Sequence, residues 1–356
     1  MGFHIVKRET MPAWEAWLIR IGAILLGAIL VAIVIVLVTG QNPLEVYGIM
    51  FDGAFGTDRR IWSLLQGIAM LLCVSLAVTP AFKMKFWNIG AEGQALMGGL
   101  ASVACMMFAG DKLPSWLFLI VMAVASMLAG AIWAVVPAIF KARFGTNETL
   151  FTLMMNYIAI QIVSYYICVF ATGGSGKLDV INADTHYGWL PTIGGQAYLI
   201  NVIIVLVLTI VMYVYLKYSK HGYEISVVGE SENTAKYIGI DVKKVILRTM
   251  ILSGALCGIA GFLLVSGADH TISRDTIAGR GFTAIMVSWL AKFNPFVMIL
   301  TAFLLVFFEK GSIQISQLCG LNASFADITV GIIIFFIIGS EFFINYKIQK
   351  NDKEGE

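Results

Sequence analysis

Ten stretches of mostly apolar residues, all but one near the length that crosses a bilayer, leave this chain few folds to choose from. They lie near 17–39, 61–82, 86–109, 115–140, 149–171, 198–216, 246–267, 281–293, 295–316 and 326–345. A spanning helix needs about 20 apolar residues, and inside hydrocarbon every backbone N–H and C=O must find a partner within the protein. The pattern predicts an all-α fold: a polytopic membrane helix bundle of about ten segments, a single transmembrane domain over residues 1–356. The eighth stretch is too short to cross without tilt or a break, so a re-entrant or half-helix is expected there. Composition agrees. The chain is 59% hydrophobic and only 13% charged, where a soluble chain carries about a quarter charged residues.

Lys7, Arg8 and Arg20 precede the first apolar run, as in a secretory signal, but Ile21 to Val38 approaches bilayer length and no A-x-A-like site follows. An uncleaved first span is expected, preceded by a cytoplasmic or interfacial segment over 1–20. Within it, Ile5–Trp17 carries Trp14 and Trp17 among charges, which suits a short interfacial helix at headgroup level. Orientation follows from the cationic loops. Lys83 and Lys85, Lys141 and Arg143, the group Lys217, Lys220, Lys236, Lys243 and Lys244, and Lys347, Lys350 and Lys353 all fall inside if the N-terminus is inside. Arg59, Arg60, Arg274 and Arg280 oppose the rule but are fewer. Both termini of a multi-pass cell-membrane protein are therefore expected in the cytoplasm, with a cytoplasmic loop over 217–245, a cytoplasmic tail over 346–356, and the Gly-rich loop Thr172–Gln196 outside.

Several chemistries find no support in the residues. A net charge of +2 gives no signal for nucleic acid, and the basic residues sit at segment ends instead. The TGGSGKL run resembles a phosphate-binding loop, but Ala171 stands where the first Gly is needed and Leu178 where Ser or Thr would hold magnesium. The sequons at Asn147 and Asn322 are common chance matches. Cys73, Cys105, Cys168, Cys257 and Cys319 are scattered through apolar runs and read as small core hydrophobes. The four histidines are unclustered, and neither a metal-ligand spacing nor a catalytic pair is visible, so no catalytic or metal residues are expected.

The polar interruptions are more telling. NIGAEGQALMGG opens the third stretch: Gly90, Gly93, Gly98 and Gly99 permit close backbone approach, and Asn88, Glu92 and Gln94 are costly near hydrocarbon unless paired or wet. These three read either as polar groups on a solute path or as a helix start at the membrane edge. GRGFTAIMVSWL, from Gly279, is a similar Gly-punctuated start in the second half, a faint internal repeat. Five segments per half would make the second copy inverted, a five-plus-five repeat whose interface carries the pathway near broken helices. The polar run Tyr218–Lys244 suits a surface that receives force from a soluble partner. In it Ser231 is placed to cap a helix over Ser231–Ile240, and Ala235 and Gly239 lie four apart on one helical face. SGALCGIAG carries Gly254 and Gly258 in GxxxG spacing with Gly261 a turn on, a packing face. Glu309 and Lys310 are adjacent and so do not share a helix face.

NIGAEGQ at Asn88–Gln94, GESENTAKYIGIDVKKV from Gly229, LSGALCGIAG from Leu252 and GRGFTAIMVSWL from Gly279 together resemble the permease subunits of bacterial ABC importers for nucleosides and simple sugars, with branched-chain amino acid permeases as more distant relatives. The resemblance covers roughly residues 60 to 345, with the motifs in order. It implies a non-enzymatic permease that alternates access for a solute, most of all a nucleoside, with simple sugars as the alternative. It implies no cofactor of its own, because ATP is bound by a partner. The implied partners are a cytoplasmic ABC ATPase, a second and usually different permease subunit, an extracellular lipoprotein or periplasmic solute-binding protein, and the lipid bilayer. Gly229, Glu230, Ser231, Asn233, Ala235, Gly239 and Ile240 stand where relatives hold the ATPase-coupling helix, and Asn88, Glu92, Gln94, Phe282 and Thr283 are the path candidates. Two departures stand out: Trp87, where relatives often carry a smaller or different residue, and the WLAKFNP segment Trp289–Pro295, where relatives tend to have a glycine before the polar turn. Two rivals remain in view. An ion-coupled secondary transporter also uses inverted repeats, but no membrane-centre Asp or Glu marks an ion site. An intramembrane enzyme would need a convergent nucleophile or metal set.

Overall fold

The computed structural model describes residues 3–8, 11–40, 42–109, 113–171 and 176–350. Thr172–Ser175 of the Gly-rich loop and the end of the tail, 351–356, lie outside the described residues. After strand β1 (Phe3–Lys7), the helices follow as α1 (Ala13–Thr39), α2 (Pro43–Phe55), α3 (Asp58–Lys83), α4 (Ala91–Phe108), α5 (Ser115–Phe144), α6 (Glu148–Phe170), α7 (Leu199–Tyr218), α8 (Lys220–Glu230), α9 (Glu232–Tyr237), α10 (Val242–Leu264), α11 (Arg280–Leu290), α12 (Pro295–Leu318) and α13 (Ala323–Asn345). A π-helical turn, Val265–Asp269, extends α10, and strand β2 (Tyr346–Lys350) pairs antiparallel with β1.

Eight of these helices are long and apolar enough to cross a membrane: α1, α3, α5, α6, α7, α10, α12 and α13. The all-α membrane bundle is therefore the architecture. The other two expected segments are α4, with 18 residues, and α11, with 11 residues, the short eighth stretch. Two local differences have clear causes. Phe3–Lys7 is a strand rather than the start of an interfacial helix, because each strand supplies the other's backbone partners, Phe3 opposite Lys350 and Lys7 opposite Tyr346. The helix α2 was not anticipated, although its start signals are plain. The Asn42 side chain accepts from the Leu44 N–H, and Pro43 fills the first turn, where a missing donor costs nothing.

The chain divides into two compact units, Met1–Leu64 with Leu304–Glu356, and Leu65–Phe303. In the first, α1 packs along α13, with Gly27 facing Ile333 and Phe336. Arg20 closes that pair through a 2.6 Å ion pair to Glu341, both half-buried.

In the second unit, α4, α5 and α10 form a tightly packed centre. The glycines of α10 explain the approach. A β-carbon on Gly258 would lie 2.1 Å from the Ser126 carbonyl oxygen of α5, and one on Gly261 would lie 2.2 Å from the Ala95 carbonyl oxygen of α4. Without hydrophobic drive between helices in lipid, such backbone contact is what holds them. The loop before α7 is sewn to the chain that follows α10. The Leu190 N–H donates to the Ser266 carbonyl (2.8 Å) and the Ile181 N–H to the His270 carbonyl (2.9 Å), and the Trp189 ring stacks on His270 at 3.7 Å. Where α10 passes into the π turn, the Asn201 amide of α7 donates to the Leu263 carbonyl (3.2 Å), supplying a partner where the helical ladder changes register.

Candidate functional site

Two breaks in the second unit position the polar residues. Between α3 and α4 the chain runs irregularly through Met84–Gly90 with Lys85 at φ 61°, and between α11 and α12 it passes Lys292 at φ 50° and Phe293 at φ 61°. Left-handed backbone at residues with side chains is strained and persists only where the surroundings impose it, commonly at functional places.

Two helices of this unit, α4 and α11, begin on a glycine with no side-chain cap of its own: Gly90 for α4 and Gly279, at φ 73°, for α11. First-turn N–H groups are orphaned unless something else meets them. For α4 the partner comes from α6. The Asn156 side-chain Oδ1 accepts from the Gly93 N–H at 2.8 Å, and its Nδ2 donates to the Ile89 carbonyl at 2.8 Å. Asn88 and Gln94 then clasp each other, the Gln94 amide donating to Asn88 at 3.0 Å, and the Asn88 amide also donates to Ser253 of α10 at 3.1 Å. For α11 the partner is Glu92. One carboxylate oxygen accepts from the Gly279 N–H at 2.9 Å and the other from the Gly281 N–H at 2.8 Å. A carboxylate at a helix N-terminus meets both the free donors and the positive end of the dipole. The two Gly-punctuated starts noted in the sequence therefore meet, the first supplying the cap of the second.

All three polar path candidates from NIGAEGQ are buried: Asn88, Gln94 and Glu92 are 0%, 1% and 7% exposed. Thr283 is half-buried and Phe282 is exposed. The structure brings Asn88, Glu92 and Gln94 together with Asn156, Thr152 and Ser253, which sequence reasoning did not single out. Asn156 could have been found, since an Asn inside an apolar run is costly unless it has work to do.

The polar run between α7 and α10 forms a second, separate feature. The Ser231 hydroxyl accepts from the Thr234 N–H at 3.2 Å, capping α9, so the helix covers Glu232–Tyr237 rather than continuing to Ile240. Gly239 ends it at φ 86°, and Ile240 leads to Asp241, which caps α10 through the Lys244 N–H at 3.2 Å. The Lys244 ammonium and backbone hold the Asp241 carboxyl below the usual carboxylate range. Ala235 is buried, so it does not share an outward face with Gly239; Glu230, Asn233, Tyr237 and Ile238 are exposed, Tyr237 at 92%. Gly229 lies against the end of α3, where a β-carbon would come within 2.1 Å of the Lys83 carbonyl oxygen. Burial pushes the His221 imidazole below its ordinary pKa, and the ring bonds Tyr215 on α7 and Thr249 on α10 (3.4 Å), fixing the α7–α8 corner.

Broken helices joined by a buried polar clasp lie among spanning helices, with a capped polar knob against the end of α3, an arrangement compatible with a membrane permease. Comparison with known proteins agrees. The model of the branched-chain amino acid transport system permease component matches residues 60–338, and the chain belongs to that family. It is 30% identical to the guanosine ABC transporter permease protein NupP of Bacillus subtilis, over 95% of this chain and 97% of that one. It is 28% identical to a glucose ABC transporter permease protein of Haloferax volcanii (96% and 92% covered) and 28% identical to the nucleoside ABC transporter permease protein NupB of Lactococcus lactis (90% and 90% covered).

Proposed function

We propose that this chain is the membrane-spanning permease of an ATP-driven nucleoside importer. It works with a cytoplasmic ABC ATPase, a second permease subunit and an extracellular or periplasmic solute-binding protein, and it holds no ATP itself. Its termini and the α8–α9 knob face the cytoplasm. Nucleoside is favoured as solute because two of the three relatives above are guanosine or nucleoside permeases, the guanosine permease at 30% identity. A simple sugar is the second reading, favoured by the glucose permease match.

The observation that carries the mechanism is the contact of Gly229 with the Lys83 carbonyl. It supports a direct mechanical route. ATPase closure pushes on Tyr237 and its neighbours, α8 transmits the push through Gly229 to the end of α3, and the adjoining break carries it to Asn88 and Glu92. Glu92 grips the first turn of α11, so the two broken helices move together. The solute path runs along that joint, with Phe282 and Thr283 on its wall. Asn88, Glu92 and Gln94 line it in the state that opens the clasp. Uptake of labelled nucleoside into membrane vesicles, challenged by unlabelled glucose or nucleoside, tests the reading. ATP-dependent uptake displaced by nucleoside alone is expected. ATP-dependent uptake of labelled glucose with none of nucleoside would transfer the assignment to sugars, and uptake driven by an ion gradient without ATP would overturn the class.

A further inference from the structure

Two tryptophans far apart in sequence, Trp87 and Trp289, meet in space. The rings of Trp87 and Trp289 lie with centroids 5.3 Å apart at 52°. Phe82 backs both, 5.8 Å from Trp87 and 6.4 Å from Trp289. Phe82 is buried, yet Trp87 is 43% and Trp289 50% exposed. Phe282, 45% exposed, precedes Trp289 by seven residues, two helical turns, and so shares its face of α11. Gly281, Ala284, Val287 and Ser288 bury the opposite face, where the Ser288 hydroxyl bonds Thr79 of α3 at 2.9 Å. Half-helix α11 is thus anchored along one side and bare and aromatic along the other.

Exposed tryptophans in a membrane protein commonly sit in the interfacial belt. These two flank broken backbone instead. Trp87 lies in the irregular stretch between α3 and α4, and Trp289 ends α11 just before the left-handed Lys292 and Phe293. Non-helical backbone within the membrane is tolerated only where it is buried in protein or lines a water-filled cavity, and on the proposed path the exposed rings beside both breaks would face the cavity that the solute crosses. The tilt between the rings keeps them from stacking on each other and leaves π faces open to a third flat ring, for which offset or edge packing is favourable.

We propose that Trp87 and Trp289, with Phe282 on the same stripe, form a stacking subsite for the planar base of a nucleoside, and that this subsite sets the preference for base-bearing solutes over bare sugars. The proposal rests on the nucleoside-permease reading above. Stacking on aromatic side chains suits any base, because every base has a π face. A solute range wide in base identity but closed to ribose follows.

The test uses the whole importer, purified with its ATPase and partner subunits and reconstituted in liposomes. Uptake of labelled guanosine and of ribose is compared for wild type, W87L and W289L, at matched amounts of assembled complex. Each leucine variant is expected to raise the half-saturating guanosine concentration about tenfold, while W87F and W289F recover most of it. In parallel, guanosine is expected to quench wild-type tryptophan fluorescence and ribose is not. This readout stands even if a leucine variant fails to assemble. Unchanged half-saturation in the leucine variants, or no quenching by guanosine, would assign the pair to the membrane-interface belt and overturn the subsite. A wild-type importer that takes up no nucleoside would sink the nucleoside reading itself and this subsite with it. Wild-type uptake matched by the leucine variants would remove the subsite alone.

Discussion

Gly258 carries the sharpest single-residue consequence of the packing. The atoms that a new methyl group would strike belong to the backbone of Ser126 and Met127, which cannot rotate away as a side chain can. Gly258→Ala is expected to lower stability by roughly 1–3 kcal/mol, read as a fall in thermal unfolding temperature in detergent. Gly331→Ala, at a helical glycine with open space around it, should be neutral or slightly stabilising, because alanine favours helix by up to about 1 kcal/mol. Equal effects at the two sites would deny that backbone contact holds α10. Glu92 is the polar counterpart. Glu92→Gln keeps the shape but turns an amide NH2 toward one of the two N–H donors, and is expected to lower stability by roughly 1.5–3 kcal/mol. An unchanged unfolding temperature would argue that the α11 cap is dispensable. The glycines were legible in the sequence because GxxxG spacing is a local signal. The partner of Glu92 was not, since it lies 187 residues away and nothing local announces it. Asn88 and Gln94 drew notice as polar residues by hydrocarbon, but their mutual clasp depends on the turn at Ile89–Gly90, which brings together residues six apart.

The short helix α9 makes a cleaner probe of coupling than the glycine that ends it. Any side chain at Gly239 must adopt φ 86°, so its replacement mixes strain with coupling. Tyr237 is 92% exposed, and Tyr237→Ala should leave the fold intact while weakening ATPase docking by roughly 1–2 kcal/mol, about tenfold. Solute-stimulated ATP turnover measured in the assembled complex checks this, and full stimulation would place the coupling surface elsewhere. The α7–α8 corner should respond to acid. Burial, aided by the Arg248 charge and opposed by Glu224 and the Val245 backbone, puts the folded His221 pKa below its unfolded value. The unfolded corner therefore takes up a proton first. Its stability is complete above about pH 6.5 and falls as pH drops through that value toward the folded pKa. Amide hydrogen exchange over Lys220–Glu230, corrected for intrinsic rates, should accelerate in that window, and His221→Asn should remove the step. A wild-type protein without the step would mean His221 does not pin the corner. Elements were read unevenly from sequence. The half-helix α11 was foreseen from its length, whereas α2, with 13 residues, is too short to register as a span. The β1–β2 pair was missed because each strand is stabilised only by its distant partner.

Across the whole chain, the bundle class was legible because bilayer thickness imposes a length rule that eight helices satisfy on their own residues. How the helices meet was less so, since close approach at Gly98, Gly254 and Gly258 and the caps from Asn156 and Glu92 join segments with no shared local pattern. Family membership follows from the match over residues 60–338, and the central claim is that this chain passes nucleosides when a separate ATPase acts on α9. The most direct test is to purify the tagged chain from its native membrane and assay the eluate for ATP hydrolysis with and without nucleosides. The account predicts that an ABC ATPase and a second permease co-purify and that nucleoside raises turnover. A chain that elutes alone and still moves solute in liposomes on an ion gradient would contradict it.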